Sequence, residues 1–260
     1  MKKLSNKKLE LFGLYLYFIF FYIIFTRIKI NHLGMSLIYF GIPNIYFLLK
    51  KRKFFNKIIV GSFLMSIPIT LIFDTIAHQS QSWYESTVFH FRILDIFPLE
   101  TFIWCFNYIA FVVLFYMFFF DRYSTIRLGK SFKYFYILFV VILLVFLSVF
   151  IINKELLNIA NFYSISISIF ILITIIGLIK YPNLYTKLSL VSILLFIPSI
   201  FHELISLKWS HWYFLQGNHF GYVTLQSYTF PIEELLWIIF IPIFILVLEE
   251  IFADNRKWSF

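Results

Sequence analysis

Charge is scarce in this chain, and so are cysteine and glycine. Only 13% of its 260 residues are charged, there is one cysteine, and the eight glycines form no G-x-G-x-x-G and no phosphate-binding loop. Each shortage removes a class of function. Cys105 alone cannot form an intrachain disulfide or a cysteine metal cluster, and no nucleotide or flavin site is visible.

What fills the sequence instead is apolar: 61% of residues are hydrophobic and 23% aromatic. Almost every apolar run lasts about 18 to 22 residues, the length that crosses a bilayer and more than a soluble core needs. The chain therefore reads as an integral membrane protein with the lipid bilayer as its first partner. Its formal charge of +9, from 22 Lys and Arg against 13 Asp and Glu, would suggest nucleic acid in a soluble domain. Here the basic residues stand between apolar runs, as topology signals, and no nucleic-acid partner is expected. The opening Met-Lys-Lys resembles a signal peptide, but the bulky run from Leu11 to Phe25 has no small-residue cleavage site before Arg27, so a retained first helix is expected.

The runs predict eight transmembrane helices, at about 9 to 26, 33 to 49, 56 to 74, 98 to 120, 134 to 153, 159 to 179, 186 to 206 and 231 to 252. A pattern written twice organises them. The first copy is Asp74, Trp83-Tyr84, Phe97-Pro98-Leu99-Glu100, Trp104 and Asp121; the second is Glu203, Trp212-Tyr213, Phe230-Pro231-Ile232-Glu233, Trp237 and Asp254. The acids and Trp-Tyr pairs repeat at an offset of 129, and the Phe-Pro-x-Glu and trailing Asp at 133. The expected architecture is an all-α membrane protein of two four-helix repeats, residues 1 to 128 and 129 to 260, and an even helix count per unit makes them parallel.

Seventeen basic residues fall on one side of this arrangement: Lys2, Lys3, Lys7, Lys8, Lys50, Lys51, Arg52, Lys53, Lys57, Arg122, Arg127, Lys130, Lys133, Lys180, Lys187, Arg256 and Lys257. Five fall on the other: Arg27, Lys29, Arg92, Lys154 and Lys208. The positive-inside rule then makes both termini cytoplasmic and turns loops 75 to 97 and 207 to 230 outward, in a cell membrane. Both loops carry the motif. Each is entered from a helix expected to end in an acid and left through a proline, which suits a first helical turn.

Singly, these residues have ordinary explanations. Acids near a helix N-terminus favour the dipole by about 0.3 to 1 kcal/mol, and Trp and Tyr populate interfacial belts. Belts and caps have no reason to recur at one spacing in both halves. Glu100 and Trp104 share a helix face, as do Glu233 and Trp237, and acids held within a membrane are functional candidates. A desolvated, protonated carboxyl donates a proton, an ionised one accepts it, and aromatic faces stabilise a cation between them. Proton-initiated alkene rearrangement uses all three and needs no cofactor.

At these residues the chain resembles the membrane lycopene cyclases of the heterodimeric and fused type. The resemblance rests on Asp74, Trp83, Tyr84 and Pro98-Leu99-Glu100, and on Glu203, Trp212, Tyr213, Gly221 and Pro231-Ile232-Glu233-Glu234. It covers most of the chain. The Pro-x-Glu-Glu signature of that family is complete at Pro231 to Glu234, while Thr101 stands where the first copy's second acid would be.

The resemblance implies an apolar polyene, a carotenoid, as substrate. The expected catalytic set is Asp74, Glu100, Glu203, Glu233 and Glu234, with Trp83, Tyr84, Trp104, Trp212, Tyr213 and Trp237 around the substrate. Glu233 or Glu234 would protonate a terminal double bond, the internal double bond would close a six-membered ring, and Glu100 or Asp74 would take a proton to leave a β-ionone end. His78, His202 and His211 do not repeat between halves and are expected at loops or interfaces, with no metal site. Asp121, Arg122, Asp254 and Arg256 are expected to mark helix ends. Two other readings share these residues: a carotenoid hydratase trapping the same cation with water, and a transporter or lipid-binding membrane module without catalysis. The oligomeric state, a homo-oligomer included, is open.

Overall fold

The computed structural model of the chain describes residues 2–93, 96–121, 130–215 and 219–253. Arg122, Arg127, Asp254, Arg256, Lys257 and the expected boundary between residues 128 and 129 lie outside the described residues.

Among the described residues eight helices are long and apolar enough to cross a membrane: α1 Asn6–Phe25, α2 His32–Lys50, α3 Arg52–Gln79, α4 Leu99–Phe119, α5 Phe132–Leu157, α6 Phe162–Lys180, α7 Pro182–Lys208 and α8 Ile232–Phe252. This is the architecture of an all-helical membrane protein. The most apolar of them is among the least covered. Over its most hydrophobic window α5 has a mean hydropathy of 3.3 with 11% of residues buried, and Leu144, Val145, Ile151 and Ile152 are exposed. A surface of that kind is stable against lipid chains and not against water. At the other extreme, α4 lies at the centre, packed on α2, α3 and α8, while α8 also packs on α6 and α7, and α1 on α7.

The cores of these contacts are aromatic. Phe40, Phe47, Phe111 and Phe115 are almost completely buried. Their rings meet in tilted or nearly parallel pairs, Phe40 with Phe111 at 5.4 Å and Phe47 with Phe111 at 6.4 Å between centroids, within the range that aromatic pairs favour. Small residues set the closest approach: a Cβ added at Gly177 of α6 would lie 2.5 Å from Val247 Cγ1 of α8.

Two helices run further than their apolar periods suggest. The helix expected at 56 to 74 continues to Gln79, and the one expected at 186 to 206 continues to Lys208. Asp74 and Glu203 therefore lie inside α3 and α7 rather than at their ends. In α3 the stretch Ile69–Asp74 is a π-helix directly after Pro68. Proline removes one rung of the hydrogen-bond ladder, and the wider turn changes which face the residues beyond it present. Lys57 also departs from expectation. It is a buried residue of α3, not a loop cation, and its Nζ lies 2.8 Å from Glu249 Oε1 of α8.

The two long loops contain short strands. β1 (Trp83–Glu85) pairs with β4 (Trp212–Phe214), β2 (Arg92–Ile93) with β3 (Phe97–Pro98), and β5 (Tyr222–Leu225) with β6 (Tyr228–Pro231), all antiparallel. Gln226 and Ser227 both have positive φ, 49° and 76°, forming the tight turn of the β5–β6 hairpin. Tyr22 of α1 holds that turn by donating to Gln226 Oε1 at 2.6 Å. Pro98 and Pro231 close their strands and precede α4 and α8 as N-caps with extended backbone, ψ 148° in both, one residue earlier than a first-turn position.

Candidate active site

The β1–β4 ladder joins the two motif copies. Tyr84 lies opposite Tyr213 and Glu85 opposite Trp212, and the two tyrosine rings stack at 5.7 Å with an interplanar angle of 15°. Beneath the ladder is a cavity of about 110 Å³ whose walls come from α2, α3, α4, α6, α7, α8 and both strands.

Its lining brings together most of the residues singled out in the sequence. Asp74, Glu203 and Glu234 reach it, as do all four motif tryptophans, Trp83, Trp104, Trp212 and Trp237. Four others do not line it. Tyr84 and Tyr213 sit on the outer ladder, with Tyr213 half exposed. Glu100 and Glu233 are fully buried but turned to the loops. Glu100 accepts the backbone N–H groups of Val88 and Phe89; Glu233 accepts Phe220 N–H at 2.7 Å and the Ser164 hydroxyl. Each acid thus ties its own long loop to the first turn of the helix that follows, where amides would otherwise be buried without partners.

The cavity carboxyls form two pairs. On one side Asp74 and Glu85 are electrostatic neighbours, and the Trp83 indole serves both, donating to Glu85 Oε1 at 2.8 Å. On the other, Glu203 and Glu234 are electrostatic neighbours. The Trp212 indole donates to Glu203 Oε1 at 3.0 Å and the Tyr163 hydroxyl to Glu234.

Glu85 was not among the expected site residues, and it resolves the asymmetry at Thr101. Thr101 and Glu234 occupy matching places in the two motif copies, and so do Glu85 and Phe214. All four line the cavity. The acid missing at one position of the first copy is supplied at another, so each copy brings two carboxyls. A search for residues that repeat passes over Glu85 because Phe214 stands at its counterpart. Burial raises the Glu85 carboxyl to about 7, against the Trp83 indole and the Arg92 guanidinium, which pull it down.

Tyr163 and His32 also line the cavity without any signal in the repeat. Of the three histidines expected at loops or interfaces, His211 stands in the loop after α7 and His78 in the last turn of α3, and His202 departs from that expectation by lying inside α7. His202 is buried and lines the cavity, and His211 is buried with Nε2 2.8 Å from the Ile30 carbonyl. His78 meets the Tyr84 ring edge-on at 4.6 Å. Among the described residues no three His, Cys, Asp or Glu converge as metal ligands do.

The chain matches no family model, no curated protein and no solved structure. Function is therefore argued from the cavity itself: two acid pairs, each held by an indole N–H, enclosed by aromatic rings.

Proposed function

We propose that the chain is a membrane-embedded carotenoid cyclase of the lycopene-cyclase type, forming β-ionone-type rings without redox change. One observation carries the reading: two carboxyl pairs and four tryptophans, drawn from both copies of the repeated motif, line one cavity. The two copies act as parallel repeats around that shared site, with both termini cytoplasmic and the ladder on the outer side.

The proton begins on the Glu203–Glu234 pair. It adds to the inner, CH carbon of a terminal trisubstituted double bond, leaving a tertiary cation on the outer, dimethyl-bearing carbon. The internal double bond attacks through the sixth carbon counted from the cation as the first, one carbon–carbon bond closes the six-membered ring, and the positive charge moves to the neighbouring ring carbon. Loss of the adjacent ring proton to the Asp74–Glu85 pair restores a double bond inside the ring. One proton enters and one leaves, so substrate and product are isomers. General acid chemistry of this kind contributes about 10² to 10⁴ in rate, and indole faces stabilise the passing cation.

Glu234 is the better donor than Glu233, because Glu233 is engaged by Phe220 and Ser164. Water entering the cation's place would give a hydroxylated product, so product analysis separates cyclase from hydratase. Expression in lycopene-accumulating cells is expected to yield cyclised carotenoid. Unchanged lycopene beside folded, membrane-inserted protein would sink the proposal and favour a transport or lipid-binding role.

A further inference from the structure

One stretch of the cavity wall is polar without being acidic. His32 is 1% exposed and neither ring nitrogen has a hydrogen-bond partner; His202 is 4% exposed with Nε2 unpartnered. Beside them Thr101 Oγ1 and Trp104 Nε1 are also buried and unpartnered. All four side chains line the cavity. They form one neighbourhood: the Trp104 ring lies 6.4 Å from His32 and 6.2 Å from His202.

A polyene hydrocarbon satisfies none of these atoms, and a buried polar group left unpaired is costly. The set has a definite hydrogen-bond character. The Trp104 indole only donates, a neutral imidazole offers one donor and one acceptor, and the threonine hydroxyl does both. A hydroxyl group on the ligand, which also gives and takes, matches that set better than a carbonyl oxygen, which only takes.

We propose that this wall is a hydroxyl subsite, so that the cavity prefers a polyene carrying a terminal alcohol over its parent hydrocarbon. The inference rests on the reading of the cavity as a polyene site and names the substrate class within it. The acid-initiated ring closure uses neither the His32, His202 and Thr101 side chains nor the Trp104 N–H, only the Trp104 ring face, and a terminal hydroxyl on a methyl branch leaves the reacting double bonds in place.

The test is a matched pair of ligands, lycopene and lycopen-16-ol, titrated into the full chain in lipid nanodiscs with quenching of tryptophan fluorescence as the signal. The alcohol is expected to bind at least about tenfold more tightly, the equivalent of one to two well-made buried hydrogen bonds. In His32→Phe the ratio of the two dissociation constants is expected to fall to about one, and in His32→Gln, which keeps a donor and an acceptor, to stay well above it. Taking the ratio within each variant removes any change in the cavity's general affinity. Thr101→Val, nearly the same shape, is expected to lower it several-fold and serves where His32→Phe does not fold. Equal binding of the two ligands by the unaltered chain overturns the subsite and leaves the polyene reading standing. Preference that survives both His32→Phe and Thr101→Val also overturns it. Binding of neither ligand overturns both readings.

Discussion

Exchanging one oxygen for an amide at adjacent positions of α8 separates the donor from its neighbour. Glu234→Gln keeps the length of the side chain and an acceptor for the Tyr163 hydroxyl, but no carboxyl proton remains to transfer. The rate of ring formation is expected to fall by about 10² to 10⁴, the range for loss of a general acid. Glu233→Gln should act differently. Its amide oxygen still accepts Phe220 N–H, now 2.7 Å from a Glu233 oxygen, and what is lost is the charge assistance, since charged hydrogen bonds are roughly twice as strong as neutral ones. That amounts to about 1 kcal/mol, felt as reduced thermal stability and at most a tenfold loss of rate. Both variants are assayed in membranes containing lycopene, with initial rates of ring formation normalised to folded protein and unfolding midpoints measured in parallel. An inactive Glu233→Gln beside a fully active Glu234→Gln, both folded, would refute the assignment of roles from cavity lining.

Further outcomes follow from the same contacts. The Glu85 carboxyl is raised above the ordinary glutamate range to about 7; the folded state therefore binds the extra proton between those values. Its contribution to stability is largest below the ordinary value and declines as pH rises to about 7, while activity that needs an ionised Glu85 rises over the same window. Glu85→Gln should flatten both profiles. Lys57→Met leaves Glu249 buried without the Lys57 ammonium and is expected to cost about 3 to 5 kcal/mol; the double change with Glu249→Met restores most of it, read by thermal unfolding in detergent. Gly177→Ala pushes a methyl against Val247, where a built Cβ is 2.5 Å away, and is expected to cost about 1 to 3 kcal/mol by overpacking the α6–α8 contact.

How far the sequence speaks depends on what kind of cause is at work. Eight apolar runs become eight helices because run length alone sets whether a helix can cross a bilayer. The place of Asp74 inside a helix is not legible, because hydropathy ends where that acid appears and the helix does not, whereas the run at 186 to 206 already passes Glu203. Tertiary partners hold these acids, among them the indole of Trp83 beside Asp74 and that of Trp212, which donates to the buried Glu203. Repetition identified six of the residues that line the cavity, the Pro-x-Glu-Glu resemblance added Glu234, and repetition also promoted Glu100 and Glu233, whose shared task is holding a loop in each half. It passed over Glu85 and His32 for the opposite reason, since each stands in one copy alone. The strand pairs were hidden as well. Strands of two to four residues are too short for a periodic signal, and Gln226-Ser227 is not the Asn-Gly or Asp-Gly of a recognisable hairpin turn.

Turnover of lycopene by the purified chain in nanodiscs prepared in D₂O tests the proposed chemistry most directly. Protonation by a carboxyl in exchange with solvent predicts cyclised product that carries one non-exchangeable deuterium for each ring formed and no added oxygen. Recovery of unlabelled lycopene from folded protein, or of a product bearing a hydroxyl in place of a ring, would contradict it.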